Sequence, residues 1–364
     1  MTAGALALPH QVFAAKSVDL TGGIDPAREF VLAKRPSTPG MRDAVNVWIE
    51  EQSGAFGMRI GVEALAEKWD HQLVWLDIAF PDGRVLNLRD ENGKTHSALD
   101  ADGKPTIRSS GGVRFQCLEP FKRWRVTFKG MVPETTAMDL IKEVWPDKPP
   151  VVPVEFDIEM TMVVPPWAPG SLLRKDDTTY SGEQGEFISP RYEQLFRSRG
   201  TMKIDGKVTD FHGPGLRIRR TGVRKLKGFW GHCWQSAVFP SGKAFGFNTF
   251  PPRGDGKPTY NEGYIFDGSG KLKAARAIQI PWLSKLNPRG DDVSFVLETD
   301  EGKVKVEGVT FINLRSRAPG HLLPPNFPIV QQAHARYRWD GEETVGMIER
   351  SSLPSVMTLG DDPR

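Results

Sequence analysis

The chain has 364 residues, which is enough for about two domains of ordinary size. Its 48 lysines and arginines nearly balance 45 aspartates and glutamates, and this excludes the strongly basic surface of a dedicated nucleic-acid-binding protein. Hydrophobic residues make up 39% of the chain, so a large core can form and global disorder is excluded. No apolar run approaches the ~18 residues that cross a bilayer, and the first 15 residues do not resemble a secretory signal. We therefore expect a soluble, cytoplasmic protein without a membrane span.

Short β-strands joined by turns are predicted along most of the chain. Glycine and proline, 37 and 29 residues, recur between runs rich in Val, Ile, Phe, Thr and Trp. Residues 74–80, 123–128 and 303–309 alternate between apolar and polar side chains, which places one face of a strand against a core. Only residues 63–69 and 134–144 suggest short helices, whereas 154–162 alternate as a strand. The predicted fold is all-β, with two consecutive antiparallel barrels or strongly curved sheets and few short helices.

Proline and glycine clusters suggest where these units divide. Residues 165–189 carry such a cluster and are interpreted as a boundary. The chain is then divided into an N-terminal arm, 1–40, a first barrel-like domain, 41–188, a second barrel-like domain, 189–350, and a flexible tail, 351–364. An eight-stranded barrel of this kind holds either a packed interior or one small ligand.

Common cofactor and metal motifs are missing from the sequence. It has no glycine-rich dinucleotide or phosphate loop, no Gly-x-Ser-x-Gly elbow and no His-Glu-x-x-His. Its two cysteines, Cys117 and Cys233, are too few for a disulfide framework or a zinc cage. We therefore predict no cofactor and no metal, with any chemistry carried out by side chains through acid–base or electrostatic effects.

Residues 190–267 contain the most informative motifs. Tyr-Glu-Gln at 192–194 is followed by Gly-x-Gly-x-Arg at 213–217, an aromatic segment at 228–235 and Tyr-Asn-Glu-Gly-Tyr at 260–264. This order resembles the lipocalin-like superfamily of carotenoid hydratases (hydroxyneurosporene synthases) and their bacterial relatives, with sequence-level similarity over about 118–130 and 190–310. The resemblance implies two lipocalin-like barrels and hydratase or cyclase chemistry on polyene substrates. Ile218 and Thr221 stand where relatives carry an acid and a tryptophan, so the resemblance supports the fold more than hydration.

A cluster of cations follows the second of these motifs. It comprises Arg217, Arg219, Arg220, Arg224, Lys225 and Lys227. One interpretation is that a guanidinium binds a carboxylate or phenolate of a substrate; the other is a solvated basic edge strand. Strand alternation places Arg217 and Arg219 on one face and Arg220 on the other. We expect Arg217 to point inward, where it binds substrate or pairs with an internal carboxylate.

Two alternating segments supply candidate acids, bases and ring surfaces. His232 and Trp234 share a strand face, and Cys233 packs on the opposite face. His232 is either a proton carrier beside a cation-stabilising ring or a core histidine with a satisfied hydrogen bond. Glu262 lies between tyrosines and is either a desolvated acid or base or the partner of a cation such as Arg217. The predicted catalytic residues are His232, Glu262 and Tyr264, and the predicted substrate-binding residues are Arg217, Tyr192, Trp234 and Tyr260.

These features predict a cofactor-independent enzyme with lyase, isomerase or hydratase chemistry on a bulky hydrophobic terpenoid, steroid or aromatic compound. The alternative is a non-catalytic carrier of a hydrophobic or aromatic acid. A third hypothesis, an interaction module that uses its cations to bind acidic partners, predicts affinity that falls with salt. The expected partner is a hydrophobic small molecule and not a nucleic acid, and a homodimer is left open.

Overall fold

The described protein is almost entirely β-structure. The computed structural model describes residues 18–174, 190–224, 226–316 and 323–360. Within these ranges the chain forms a large curved sheet followed by a closed barrel, which confirms the predicted fold class. One α-helix, α1 (Ala137–Lys142), and short 3₁₀ helices at Pro26–Glu29, Ala66–Lys68 and Pro354–Val356 accompany the strands there. No helix in the described part of the chain is long and apolar enough to span a membrane.

The large sheet contains ten antiparallel strands among the described residues, and an additional β4–β7 pairing curls it towards closure. In order across the sheet the strands are β4 (Arg84–Lys94), β3 (His71–Ala79), β2 (Gly57–Leu65), β1 (Met41–Glu50), β10 (Lys207–Val223), β9 (Arg191–Ile204), β8 (Val151–Met162), β7 (Arg123–Thr136), β6 (Val113–Glu119) and β5 (Ile107–Ser110). The predicted strand at 154–162 is therefore confirmed as β8. Of the two segments predicted to be helical, 63–69 begins within β2 and 134–144 begins within β7.

The barrel closes with eight antiparallel strands in the described ranges. These strands are β11 (Gly231–Val238), β12 (Ala244–Thr249), β13 (Asn261–Phe266), β14 (Lys273–Gln279), β16 (Phe295–Thr299), β17 (Gly302–Arg315), β18 (Ile329–Trp339) and β19 (Glu342–Ser352). A small parallel pair, β15 (Lys285–Leu286) and β20 (Thr358–Leu359), lies beside it.

The two sheets divide after β10 rather than near residue 189. β10 hydrogen-bonds with β1 along Met41–Ile49, so β9 and β10 complete the large sheet and the barrel begins at β11. The Pro- and Gly-rich segment at 165–189 connects two neighbouring strands of one sheet, and its part from 175 to 189 lies outside the described residues. Residues 1–17 of the predicted arm and 361–364 of the predicted tail also lie outside the described residues.

Aromatic side chains fill the interior of the barrel. The rings of Phe245 and Phe247 each lie 4.8 Å from Phe295, and Phe245 lies 5.1 Å from Tyr337. These side chains are buried with Cys233, which packs on the face opposite His232 and Trp234, as alternation predicts. Of the two interiors that the sequence allowed for a small barrel, the structure has the packed one.

The outer faces of the two sheets pack against each other. Trp48 on β1 and Ile218 on β10 belong to one buried cluster with Trp234 on β11 and Met347 on β19. The rings of Trp48 and Trp234 meet edge to face with centroids 5.1 Å apart. The faces that would be solvated on two separate sheets are therefore covered in this chain.

Strand β10 has buried arginines on both of its faces. It pairs with β1 on one side and β9 on the other, so the interpretation as a solvated edge strand is wrong. Arg217 and Arg219 point into the large sheet, where Arg217 lies 2.8 Å from Glu29 and Arg219 pairs with Asp43. Arg220 points to the opposite face, as alternation predicts.

Asp43 is the centre of a buried ionic cluster that ties four segments together. Its carboxylate pairs with Arg108 on β5 and Arg219 on β10, and it accepts the N–H of Leu32 at 2.6 Å. Burial alone would raise the pKa of Asp43, but the two guanidinium groups and the N–H lower it below its usual value. Asp43 is therefore held as a carboxylate.

We expect Asp43→Ala to lower the free energy of unfolding by about 3–5 kcal/mol, because it leaves two buried guanidinium groups without their carboxylate. Urea denaturation measures this change. Since the pKa of Asp43 is lowered, its stabilisation is present above pH 3.8, and the difference from the wild type should shrink as the pH falls below that value.

The matched control is Asp157→Ala, which removes an exposed partner of Arg125 from the same sheet. Its expected cost is at most about 1 kcal/mol, because water already solvates both charges. Equal losses for the two variants would contradict the role assigned to Asp43.

Candidate functional site

A cavity of about 250 Å³ lies between the outer faces of the two sheets. Strands β1 to β4, β9 and β10 form its floor, and β11, β18 and β19 form its opposite wall, together with residues that follow β10 and precede β18. An apolar cavity of about 150 Å³ holds one benzene molecule, in a well-known engineered lysozyme. The volume between the sheets therefore suits a molecule with one or two rings.

The floor of the cavity is a row of side chains that crosses five strands. In register, the row consists of Ile218, Asn46, Gly61, Trp75 and Arg89. A Cβ atom at Gly61 would collide with the indole of Trp75 and with the amide oxygen of Asn46. Glycine at this position therefore lets both side chains converge on one point of the floor.

A guanidinium group lies between two indole rings on the same floor. The Cζ atom of Arg59 is 5.0 Å from the ring centroid of Trp48 and 5.2 Å from that of Trp75. Burial is the main reason that the pKa of Arg59 is lowered to about 10. The guanidinium group is therefore still a cation at neutral pH. The stack is a cation–π arrangement that fixes the orientation of all three side chains.

The opposite wall carries Trp234 and His232, the two residues that β11 was predicted to present together. The indole N–H of Trp234 donates to Glu193 at 2.9 Å, and the guanidinium of Arg191 lies 4.9 Å from its ring centroid. Arg191 also pairs with Glu193 at 2.5 Å. These contacts hold the ring of Trp234 as a rigid wall.

His232 is bound through both ring nitrogens. Its Nδ1 lies 2.6 Å from the hydroxyl of Ser351, and its Nε2 lies 3.2 Å from a carboxylate oxygen of Glu349. The Ser351 hydroxyl already accepts the backbone N–H of His232 at 3.0 Å, so we assign its proton to the bond with Nδ1. In that arrangement the neutral ring directs its Nε2–H at Glu349.

Glu349 is an ionised group on the cavity wall. Burial alone would raise its pKa, but the hydrogen bond from His232, the charge of that ring when it is protonated, and the charge of Arg59 lower it to about 2. The other carboxylate oxygen accepts the side-chain N–H of Gln332 at 3.0 Å. His232 and Glu349 thus form a buried acid–base pair that faces the cavity.

The cavity wall carries more guanidinium groups than carboxylates among the described residues. The cations are Arg42, Arg59, Arg89, Arg191, Arg220 and Arg224, and the acids are Glu63, Asp90, Glu91 and Glu349. Burial and the nearby cations Arg224 and Arg191 lower the pKa of Arg220 well below its usual value. This end of the cavity therefore favours an anion.

Glu262 does not lie at the cavity, where a catalytic role would require it to be. Its two carboxylate oxygens accept the indole N–H of Trp167 at 3.0 Å, the N–H groups of Gly170 and Leu172 at 2.6 and 2.9 Å, and the hydroxyl of Tyr260 at 2.7 Å. The described wall of the cavity does not include Glu262 or Tyr260. Through these hydrogen bonds Glu262 holds the segment after β8 against the outer face of the barrel.

Arg217, Tyr192 and Tyr264 also lie away from the described cavity wall. Arg217 pairs with Glu29 and stacks 4.8 Å from the ring centroid of Trp124 inside the large sheet, where the Tyr192 hydroxyl donates to Glu29. The ring of Tyr264 packs 5.7 Å from that of Trp167, and burial raises the pKa of its hydroxyl. Of the predicted site residues, the structure brings His232 and Trp234 together at the cavity.

Glu349 and the Trp48–Arg59–Trp75 stack are not among the residues predicted from the sequence. These residues lie on strands far apart in the chain, and no local motif marks them. Trp234 and Glu349 are direct partners across β11 and β19, a relation that only the register reveals. Within the described ranges, no group of three or more His, Cys, Asp or Glu side chains is placed to hold a metal ion.

Comparison with solved structures gives a similar fold at low sequence identity. A Nitrosomonas europaea protein described as AttH-like has a TM-score of 0.56 and 15% identity, over 89% of this chain and 98% of that chain. CghA, solved alone and with Sch210972, has a TM-score of 0.49 and 10% identity, over 86% of this chain and 88% of that chain. The AttH-like match shows a similar fold and no more, and carotenoid hydratase is not among the names of these structures.

A search of curated proteins finds no match to the chain. A family model described as a domain of unknown function, DUF7064, matches residues 39–354, and the chain therefore belongs to the DUF7064 family.

Proposed function

We propose that this chain is an enzyme that moves a proton on a small carboxylic acid with an apolar or aromatic body, without a cofactor. The observation that carries the proposal is the His232–Glu349 pair on the wall of a cavity that also presents aromatic rings and guanidinium groups. A histidine and a carboxylate in contact provide general acid–base catalysis. The chemistry is of the lyase or isomerase type.

Each wall of the cavity has a part in this mechanism. The guanidinium groups of Arg220 and Arg224 hold the carboxylate of the substrate, and its body lies against Trp48 and Trp234. Glu349 stabilises the protonated ring of His232, which donates a proton from Nε2 to the substrate. The neutral ring then takes up the proton released at a second atom. An isomerisation leaves the number of protons on the substrate unchanged. In an elimination, His232 likewise donates a proton at one atom of the substrate and takes one up at a second atom.

Ile218 favours this chemistry over hydration by the carotenoid hydratase route. It lines the cavity at the position where relatives carry an acid, so the donor of that route is an apolar side chain here. The volume of about 250 Å³ also favours a one- or two-ring compound over a steroid or a long polyene. The acid–base capacity of the cavity then rests on His232 and Glu349.

A carrier of an aromatic or hydrophobic acid is the second candidate function. Both ring nitrogens of His232 already have hydrogen-bond partners, so proton transfer requires Nε2 to exchange Glu349 for the substrate. A carrier would use the same guanidinium groups and rings without this exchange.

We expect His232→Gln to lower turnover at least ~100-fold while binding of the same compound changes little, because general acid–base catalysis contributes on this scale. The compound is first found by a thermal-shift screen of aromatic acids, terpenoids and steroids. Mass spectrometry of the compound recovered after incubation then measures turnover. The control is His212→Gln, an exposed histidine on β10, which should keep full turnover.

Unchanged turnover in His232→Gln would remove the catalytic assignment. Recovery of every bound compound in unaltered form from the wild type would instead favour the carrier.

The ionised state of Glu349 predicts a pH-dependent loss of stability. Its pKa of about 2 lies below the ordinary 4.5, so its stabilisation is present above pH 4.5 and is lost as the pH falls towards 2. Linkage gives about 3 kcal/mol at pH 7 and about 1 kcal/mol at pH 3. Urea denaturation of the wild type and Glu349→Gln at both pH values should show this narrowing.

Glu307→Gln is the control, because Glu307 is exposed beside Lys305 on the barrel surface. Its difference from the wild type should change little with pH. A gap between wild type and Glu349→Gln that is the same at pH 7 and pH 3 would contradict an ionised Glu349.

A further inference from the structure

Several buried polar atoms on the cavity wall have no hydrogen-bond partner among the described residues. They include Asn46 Oδ1, Trp48 Nε1, Arg59 Nε, Trp75 Nε1 and Gln332 Oε1. Asn46, Trp48 and Gln332 expose only 6%, 2% and 5% of their surface, so bulk water has little access to them. Because buried polar groups in proteins are nearly always paired, such a concentration at one cavity indicates groups that a bound molecule satisfies.

The unpaired atoms include both donors and acceptors. The indole N–H of Trp75 can only donate, whereas the amide oxygen of Asn46 can only accept. The two side chains converge above Gly61, where a Cβ atom would collide with Asn46 Oδ1 and with Trp75 Cε2, the atom bonded to Nε1. A hydroxyl group matches this pair, because it donates one hydrogen bond and accepts others.

The register fixes the distance between this point and the cationic end of the cavity. Arg220 is the partner of Ala44 on β1, and Asn46 follows two residues later on the same face. Two residues along a strand correspond to about 7 Å. A six-membered ring with an acid group at one end and a hydroxyl at the other spans a comparable length.

We infer that the cavity takes a ring-bearing hydroxy acid, with its carboxylate at Arg220 and its hydroxyl at Asn46 and Trp75. This inference rests on the proposed function for the position of the acid group. The hydroxyl accepts the Trp75 indole N–H and donates to Asn46 Oδ1, while the ring lies against Trp48 and Trp234. Selectivity for the hydroxyl then follows, because an analogue without it leaves the polar atoms of the floor unpaired.

Calorimetric titration with matched probes tests the inference. The pairs are 4-hydroxyphenylacetate with phenylacetate, and 4-hydroxycyclohexanecarboxylate with cyclohexanecarboxylate. The wild type should bind at least one hydroxy acid about tenfold more tightly than its deoxy partner, or better. Tyrosol, which has the ring and the hydroxyl but no carboxylate, should bind about tenfold more weakly than 4-hydroxyphenylacetate, or worse.

Variants of the cavity floor test the contacts to the hydroxyl and to the carboxylate of the ligand separately. Asn46→Leu should bring the ratio of hydroxy to deoxy affinity close to one and leave the deoxy acid unaffected. Trp75→Phe keeps an aromatic ring and removes the indole N–H together with the second ring, and it should give the same ratio if Asn46→Leu fails to fold. Arg220→Met should weaken both acids and preserve their ratio. Asn92→Leu, at an exposed position of β4, is the matched control and should bind as the wild type does.

The outcomes distinguish this inference from the function on which it rests. If the acids bind with equal affinity with and without the hydroxyl, the hydroxy-acid inference is overturned and the acid-binding cavity stands. A ratio that persists in both Asn46→Leu and Trp75→Phe overturns it as well. If none of the acids binds, or Arg220→Met leaves their affinity unchanged, the anion site of the proposed function fails too.

Discussion

The architecture depends on the burial of β10 on both faces. Because alternate side chains of a strand point in opposite directions, one sequence of arginines is divided between two different environments. Arg217 and Arg219 enter the large sheet, where Glu29 and Asp43 neutralise them, and Arg220 enters the space between the sheets. Buried cations require partners, so the inner pair stabilises the fold through carboxylates of the chain itself. Arg220 contributes its charge to the electrostatics of the cavity.

The position of the cavity follows from how the two sheets are filled. The barrel interior is packed with aromatic rings, so the space for a small molecule lies where the sheets dock rather than inside the barrel. The edge-to-face contact of Trp48 with Trp234 joins the sheets beside that space. The site therefore needs both sheets, with the floor of the cavity on one and the His232–Glu349 pair on the other.

Local sequence patterns predicted which side chains share a face, but not what covers that face. Alternation correctly grouped His232 with Trp234, separated Arg217 from Arg220, and placed Cys233 on the face opposite His232. The partners of these residues lie on strands far away in the chain: β10 pairs with β1, and β11 pairs with β19. For this reason the tyrosines around Glu262 suggested a desolvated acid, whereas the structure supplies Trp167 and backbone N–H groups that bind it. No short-range pattern carries such pairings.

The charge of Glu349 bears on the choice between an enzyme and a carrier. In a carrier of organic anions, an ionised carboxylate on the wall would neutralise the buried Arg59 but weaken binding of the ligand, because like charges repel. Removal of the carboxylate would leave Arg59 and the other guanidinium groups freer to attract the ligand. An acid–base enzyme has a use for it, since a carboxylate beside a histidine stabilises the protonated ring from which the proton is transferred. The structure maintains this carboxylate with hydrogen bonds from His232 and Gln332, at a place where anion binding alone would select against it.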